Sequence, residues 1–434
     1  MQIQELYKIF LESSGVCTDS RAITPDSIFF ALRGDNFDGN SFAIAALEAG
    51  AKYSIVDDKS LPSHSNLIQT PDVLITLQDL ARFHRSSLAI PVVGLTGTNG
   101  KTTTKELIST VLSTKYKVTS TQGNLNNHIG VPLTILKMTS ETQVGVIEMG
   151  ASAPGEIATL VSISQPDYGL ITNVGKAHLL GFGSFEGVKA SKGELYDFLQ
   201  KNGGMAIYNT DNPHLCEMIE LRSGIKTAQY GLNFQGCKIL PASSAEPFLR
   251  MTLHSGETIN THLIGTYNSD NVLAALATGK LFNTDPADSI RAIENYIPSN
   301  NRSQLVQGMA NTLIVDAYNA NPTSMRAALE NFSKMEKSKT SLIIGDMLEL
   351  GVESQKEHKA ILEIIKEIRT DNLFFVGSEF EAASQDDQFL TDKAMFFKTS
   401  LELREYLLEN PVTENTFLIK GSRGTRLERV LDVL

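Results

Sequence analysis

The chain is poor in cysteine: Cys17, Cys216 and Cys237 are spread over 434 residues, with no C-x-x-C pair. That scarcity excludes a disulfide framework and a cysteine-built metal site. Long apolar runs are also missing. No stretch reaches 18 apolar residues, and the start, Met1-Gln-Ile-Gln-Glu5, has neither a basic nor an apolar leader region. No membrane insertion is expected, and a cytoplasmic location is. Positive charge is not in surplus. The net charge of −11 has the wrong sign for a nucleic-acid binder, while leaving room for a local basic pocket. Residues 301–434 hold no G-x-G-x-x-G, so a dinucleotide cofactor is not indicated. No short-period repeat or low-complexity tract is present.

What the chain does have is a phosphate-binding loop. Residues 92–96 read as a buried strand, 97–100 as a glycine turn, and Lys101 and Thr102 open a helix. Glycines let backbone N–H groups close around an anion, the helix N-terminus adds positive potential, and a lysine reaches the outer phosphates. A threonine hydroxyl after the lysine suits Mg²⁺. The usual loop is G-x-x-x-x-G-K-[ST]. Here Leu95 stands at its first glycine position, and the loop is the shorter Gly97-Thr98-Asn99-Gly100-Lys101-Thr102-Thr103.

The chain divides into three parts, all α/β. Residues 1–88 form a small domain with strands expected at 27–32 and 53–56 and a helix at 42–49. Its Asp19-Ser20-Arg21 reads equally as a phosphate grip or a surface turn. Residues 89–300 form a nucleotide domain with a parallel sheet. Glu148 ends the strand 144–149, beside the loop, where an acid commonly holds Mg²⁺. His178 follows the strand 168–174, as a ligand or a structural histidine. Lys189, Lys192 and Glu194 lie on a helix over 185–200 and read as solvated charges. Residues 225–264 alternate like a small antiparallel flap. Asn268 or Ser269 is placed to cap the helix 272–281, with Asn271 one turn in, toward the nucleotide. Residues 301–434 alternate strand and helix as a Rossmann-like doubly wound sheet, with strands at 312–316, 341–345, 373–377, 394–397 and 416–420.

Together these pieces resemble the Mur ligase family of ATP-dependent amino-acid and peptide ligases, over essentially the whole chain. Gly97-Thr-Asn-Gly-Lys-Thr-Thr103 matches the family's shortened loop. Glu148, His178, Tyr267-Asn-x-x-Asn271, Arg302 and Asp316 match its scattered functional positions. Six segments narrow the likeness to the branch that joins D-alanyl-D-alanine to UDP-N-acetylmuramoyl-tripeptide. They lie at 18–21, 37–39, 123–134, 148–151, 316–322 and 345–351. One departure is Asn40, where the family often has histidine.

The resemblance implies an ADP-forming carboxylate–amine ligase that works through an acyl phosphate. The first domain takes the UDP end of the substrate, through Ser20, Arg21, Phe37, Asp38 and Gly39. The middle domain binds ATP, with Asn271, Arg302 and Asp316 holding base, ribose and phosphates. The last domain closes over ATP and the dipeptide, with a hinge near residues 299–302. Asn124, Asn126, Asn127, Tyr318 and Asn319 are further substrate contacts. Two Mg²⁺ ions are implied, held by Thr102 and Glu148 and by His178. Lys192 aligns with the lysine that the family carries as a carbamate, an anion able to face Mg²⁺. A monomer is expected. The rival readings are a sister ligase adding a diamino acid, a folylpolyglutamate synthase, a nucleotide-gated switch and a non-catalytic binding module. The segments 124–127 and 346–351 disfavour the two ligases.

Overall fold

A computed structural model describes residues 1–243, 246–299, 301–335 and 339–434. Its centre is a six-stranded parallel sheet in the order Lys226–Tyr230, Met205–Asn209, Tyr168–Ile171, Val92–Thr96, Val144–Glu148, Val118–Ser120. Val92–Thr96 and Val144–Glu148 are buried at every position. That is why they read as continuous apolar runs: helices cover both faces of a parallel sheet. The strand order reverses at Val92–Thr96, so the loop after it opens into the crevice where such sheets bind ligands. Leu95 lies in register with Glu148, and Thr96 with Ile171.

The stretch 225–264 is not one flap. Lys226–Tyr230 pairs parallel with Met205–Asn209 as an edge strand of the central sheet. Lys238–Leu240, Phe248–Thr252 and Thr258–Ile264 make the antiparallel sheet. Its alternation turns Met251, Ile259 and Leu263 onto Leu107, Val111 and Val272, all buried. It is a layer of the core.

The N-terminal sheet has four parallel strands, Val16–Cys17, Ile28–Phe30, Tyr53–Val56 and Leu67–Gln69. The helix Val73–Ser87 follows, and its Leu77 and Leu80 share one core with Leu6, Phe30, Val131, Ile135 and Ile147. Arg85 fastens this helix to the central sheet. It is 7% exposed, donates to the carbonyls of Ser164, Leu88 and Gln165, and pairs with Asp167 at 2.9 Å.

The C-terminal sheet runs Gln304–Gln307, Thr312–Asp316, Thr416–Lys420, Thr340–Gly345, Asn372–Val376, Ala394–Phe397. It is parallel except for Gln304–Gln307, an antiparallel edge strand absent from the expected set. Asp316 and Lys420 sit at the carboxyl ends of its strands, facing the same interdomain edge as the phosphate loop, while Asp346, just past Thr340–Gly345, is buried accepting from the amides of Glu379 and Phe380.

Candidate active site

The phosphate loop is built on two glycine positions no other residue fills. Gly97 has φ +141° and Gly100 φ +77°. A Cβ at Gly97 would lie 2.0 Å from Thr172 Oγ1, and one at Gly100 2.7 Å from Asn271 Oδ1. The Thr98 amide donates to the Asn173 carbonyl at 3.0 Å, and the Asn99 amide to Asn173 Oδ1 at 2.9 Å. Lys101 opens the helix Lys101–Leu112 and lays its ammonium across the loop, donating to the carbonyls of Gly97 (2.7 Å) and Thr98 (3.1 Å). Burial lowers the Lys101 pKa. Glu148 opposes that shift and Arg302 adds to it.

A cavity of about 690 Å³ opens over this loop, between the middle and C-terminal domains. Thr98 to Thr103, Asn126, Asn127, Glu148, His178, Asn271, Arg302, Asp316, Tyr318 and Asn319 all line it. Gly97 lies beneath, seen through its carbonyl bond to Lys101. Glu148 is 1% exposed. Asn126 donates to its Oε1 at 2.8 Å, while Oε2 has no partner. A buried carboxylate oxygen without a partner is costly unless a cation or donor meets it. With the Thr102 hydroxyl on the same wall, this donor set suits Mg²⁺, which takes few protein oxygens and completes its shell with phosphates and water. Among the described residues no three His, Cys, Asp or Glu side chains cluster as an all-protein cage.

The far wall belongs to the C-terminal domain. Arg302 stacks on the Tyr318 ring, 3.6 Å from its centroid, with Arg423 also over that ring at 5.5 Å. The Arg302 Nε is buried without a partner. Asp316 accepts from the Ser303 amide at 3.3 Å and pairs with the buried Lys420. Asn99 and Asn321 exchange amide contacts across the domain boundary, Asn321 Nδ2 donating to Asn99 Oδ1 at 2.7 Å. Tyr267 also lines the cavity and meets Ser303 Oγ at 2.9 Å.

Several expectations change here. The Asn268 side chain does not cap the helix Ser269–Leu281. It donates to the Ile264 carbonyl and accepts from Asn271, which in turn accepts from Thr104. Both ends of the Asn268 amide are committed to that network, which leaves neither for a cap. Lys189, Lys192 and Glu194 are not solvated helix charges. Lys189 is 10% exposed and paired with Glu217 at 2.5 Å. Glu194 accepts from the amides of Gly155 and Ala158, at the start of the helix Glu156–Ser164. Lys192 is 2% exposed, donates to the Ala151 carbonyl at 3.3 Å and lies over the Phe182 ring at 5.2 Å. Burial, then the charge of Lys101, pulls its pKa down to about 7. Lys189 and Lys192 face inward because their apolar neighbours, Val188, Leu195 and Tyr196, are buried on the same stripe.

His178 has a left-handed backbone and bonds Glu349 through Nδ1. Burial lowers its pKa, against the opposing pull of Glu349. Asn124 does not line the cavity, and Asn127 is also committed to the Ile129 and Gly130 amides. Ser20, Arg21, Phe37, Asp38 and Gly39 lie on the N-terminal domain, outside the cavity. Arg21 is exposed and paired with Asp19 at 2.7 Å, holding that carboxyl down at about 2. Asn40 is buried, donating to Asp38 and Asp57 and accepting from the amides of Asp57 and Asp58. Its amide thus organises the loop where the family often has histidine. Asn173, Asn321 and Glu349 are site-forming residues absent from the expected set. Two carried a sequence signal: Asn321 and Glu349 lie within the segments 316–322 and 345–351 just past strand ends, and Asn321 is also an asparagine before proline at a helix start.

A shortened phosphate loop, an acid with a free oxygen beside it, and a cationic wall on a second domain make a nucleotide-phosphate site at a domain boundary, the arrangement an ATP-dependent ligase needs. Three family descriptions match: "Mur ligase middle domain" over residues 95–279, "Mur ligase, glutamate ligase domain" over 301–423, and "Mur ligase family, catalytic domain" over 12–85. The chain belongs to the Mur ligase family. It is 35% identical to the UDP-N-acetylmuramoyl-tripeptide–D-alanyl-D-alanine ligase of Bacillus subtilis, across 96% of this chain and 92% of the relative. The crystal structure of MurF from Acinetobacter baumannii superposes with a TM-score of 0.85 at 28% identity, covering 99% of this chain and 97% of that one. The MurF ligase of Thermotoga maritima, solved in complex with ADP, gives 0.84 at 26% identity, covering 98% and 97%.

Proposed function

We infer that this chain joins D-alanyl-D-alanine to UDP-N-acetylmuramoyl-tripeptide, consuming ATP and releasing ADP and phosphate, to give the pentapeptide precursor of peptidoglycan. The observation that carries this reading is the cavity between two domains, where the phosphate loop faces the Arg302–Asp316–Tyr318 wall. The full-length likeness to ligases of that name supports it.

A carboxylate is a poor electrophile, because its charge repels a nucleophile and oxide leaves badly. Transfer of the γ-phosphoryl group to the tripeptide carboxylate makes an acyl phosphate. The dipeptide amine then adds, and phosphate leaves from the tetrahedral intermediate. The protein's share is mainly positioning and charge neutralisation. Lys101 swings from the loop carbonyls to the β- and γ-phosphates, and the amides of Gly97 to Thr103 cradle them. Asn271, Arg302 and Asp316 hold base, ribose and phosphates. Thr102 and Glu148 would hold one Mg²⁺, and His178 with a carbamylated Lys192 a second. Bound Mg²⁺ supplies charge neutralisation on the transferring phosphoryl group. Lys192 is suited to carbamylation because its amine is buried and its lowered pKa leaves a substantial uncharged fraction near neutral pH.

We assign residues 1–88 to the UDP end, with Ser20, Arg21, Phe37, Asp38 and Gly39 its contacts. Residues 89–300 take ATP, and residues 301–434 close over ATP and the dipeptide. Asn126 and Asn127 serve the tripeptide, Tyr318 and Asn319 the dipeptide. A monomer acting in the cytoplasm fits this scheme; no helix among the described residues is long and apolar enough to cross a membrane. The test is phosphate release from ATP. It is expected only when both UDP-tripeptide and D-alanyl-D-alanine are present, and release with either alone would overturn the reading.

A further inference from the structure

His178 and Glu349 meet across the boundary between the middle and C-terminal domains. Both have left-handed backbones, at φ +50° and +64°. That conformation is uncommon outside glycine, more so for glutamate than for histidine, and residues held in it persist where surrounding structure over-determines them. The His178 Nδ1 bonds Glu349 Oε2, and the Leu180 amide reaches the Glu349 carbonyl at 3.4 Å. Among the described residues the His178 Nε2 has no hydrogen-bond partner. His178 lines both the nucleotide cavity and a smaller one of about 210 Å³, which Glu349, Ser422 and Arg423 also line.

We propose that Glu349 is a positioning residue: docking of the C-terminal domain brings it to His178, where it fixes the imidazole with Nδ1 protonated and Nε2 left to the substrate cavities. A carboxylate only accepts, so the ring nitrogen that faces it carries the proton in either charge state. Two nearby contacts cross the same boundary independently of His178: Lys176 to Glu357 at 2.6 Å, and Asn321 to Asn99 at 2.7 Å. The C-terminal domain thus sets a side chain of the middle domain as it closes. The inference rests on the ligase reading for the use of Nε2, and on geometry alone for which nitrogen is protonated.

Nitrogen NMR on the full chain with isotopically labelled histidine reads the tautomer, with His178 assigned by difference against His178→Gln. Wild type is expected to show Nδ1–H. Glu349→Ala is expected to shift that signal toward Nε2–H and to lower kcat by about 10–100-fold, with the KM for ATP within about twofold. Glu349→Gln keeps a carbonyl acceptor and should retain most of the Nδ1–H signal. Lys176→Met removes a neighbouring interdomain ion pair without touching His178, and should change neither readout. Unchanged His178 signals in Glu349→Ala would overturn the proposal. So would an equal loss in Lys176→Met, which would make Glu349 a docking contact only. If wild type forms no product from the three substrates, the ligase reading fails, while the NMR still decides the tautomer.

Discussion

Burying the Lys192 amine costs solvation, and its pKa falls to about 7 in consequence. Between about pH 7 and the ordinary lysine range the folded chain binds fewer protons here than the unfolded chain. Its contribution to stability therefore rises with pH through that window. In bicarbonate-free buffer, Lys192→Met should raise Tm by more at about pH 7 than at about pH 9. Equal shifts at both would contradict the burial argument. Lys101→Ala is expected to lower turnover at least about 1,000-fold while UDP-substrate affinity stays within about twofold. Calorimetric titration with that substrate checks it; joint loss would indicate misfolding. Arg21→Ala should raise the KM for the UDP substrate about 10-fold and leave that for ATP unchanged. Steady-state kinetics decide this, and an unchanged KM removes Arg21 from the site. The chemistry of Lys101, Thr102 and Glu148 was legible in the sequence because each stands at a fixed offset from the loop strand or at the end of its neighbour. Glu349 was legible as a polar residue past a strand end, but its partner was not, because the contact lies 171 residues away.

At the scale of elements, the residue that caps the helix Pro322–Ser333 carries two jobs. Asn321 Oδ1 accepts from the Ser324 amide at 2.9 Å, and its Nδ2 donates to Asn99 in the phosphate loop. Asn321→Ala should cost about 1 kcal/mol in denaturant unfolding, the worth of a lost cap. Asn321→Asp keeps the cap acceptor but loses the donor. It should retain stability while raising the KM for ATP, and a stability loss equal to that of alanine would deny the separation. Buried strands were readable from their apolar runs, as Val92–Thr96 and Thr312–Asp316 illustrate. Lys226–Tyr230 was misplaced because it is an edge strand, exposed or half-buried through most of its length. Its polar residues look like those of the antiparallel layer that follows. Gln304–Gln307 was missed for a similar reason: a half-buried edge strand of four residues has too little apolar signal.

At the scale of the molecule, the N-terminal and middle domains are joined through a common core and by Arg85. Arg85→Ala strands three backbone carbonyls and Asp167, and is expected to lower stability by about 3 kcal/mol, measurable by urea unfolding. The middle and C-terminal domains instead meet through polar contacts: Lys176–Glu357, Asn99–Asn321 and His178–Glu349. Such an interface is suited to opening and closing. The hinge expected over 299–302 includes residue 300, outside the described residues. Next to it Asn301 and Ser303 take left-handed conformations on either side of Arg302. Solution scattering should show a smaller radius of gyration with a non-hydrolysable ATP analogue and the UDP substrate, and an identical profile would count against closure. Excluding water matters because an acyl phosphate hydrolyses.

The sequence by itself determined the nucleotide chemistry, the family and most of the strands. Loop glycines, strand-end acids and apolar periodicity are local properties, and six short segments in order are specific to one kind of ligase. Tertiary structure alone decided which charges are buried, which asparagines bond each other, and which domain supplies each wall of the cavity. Those depend on side chains far apart in the chain meeting in space. The lysine on the helix Phe185–Asn202 shows why: its neighbours in sequence look solvated, and only packing against Ala151 and Phe182 removes it from water.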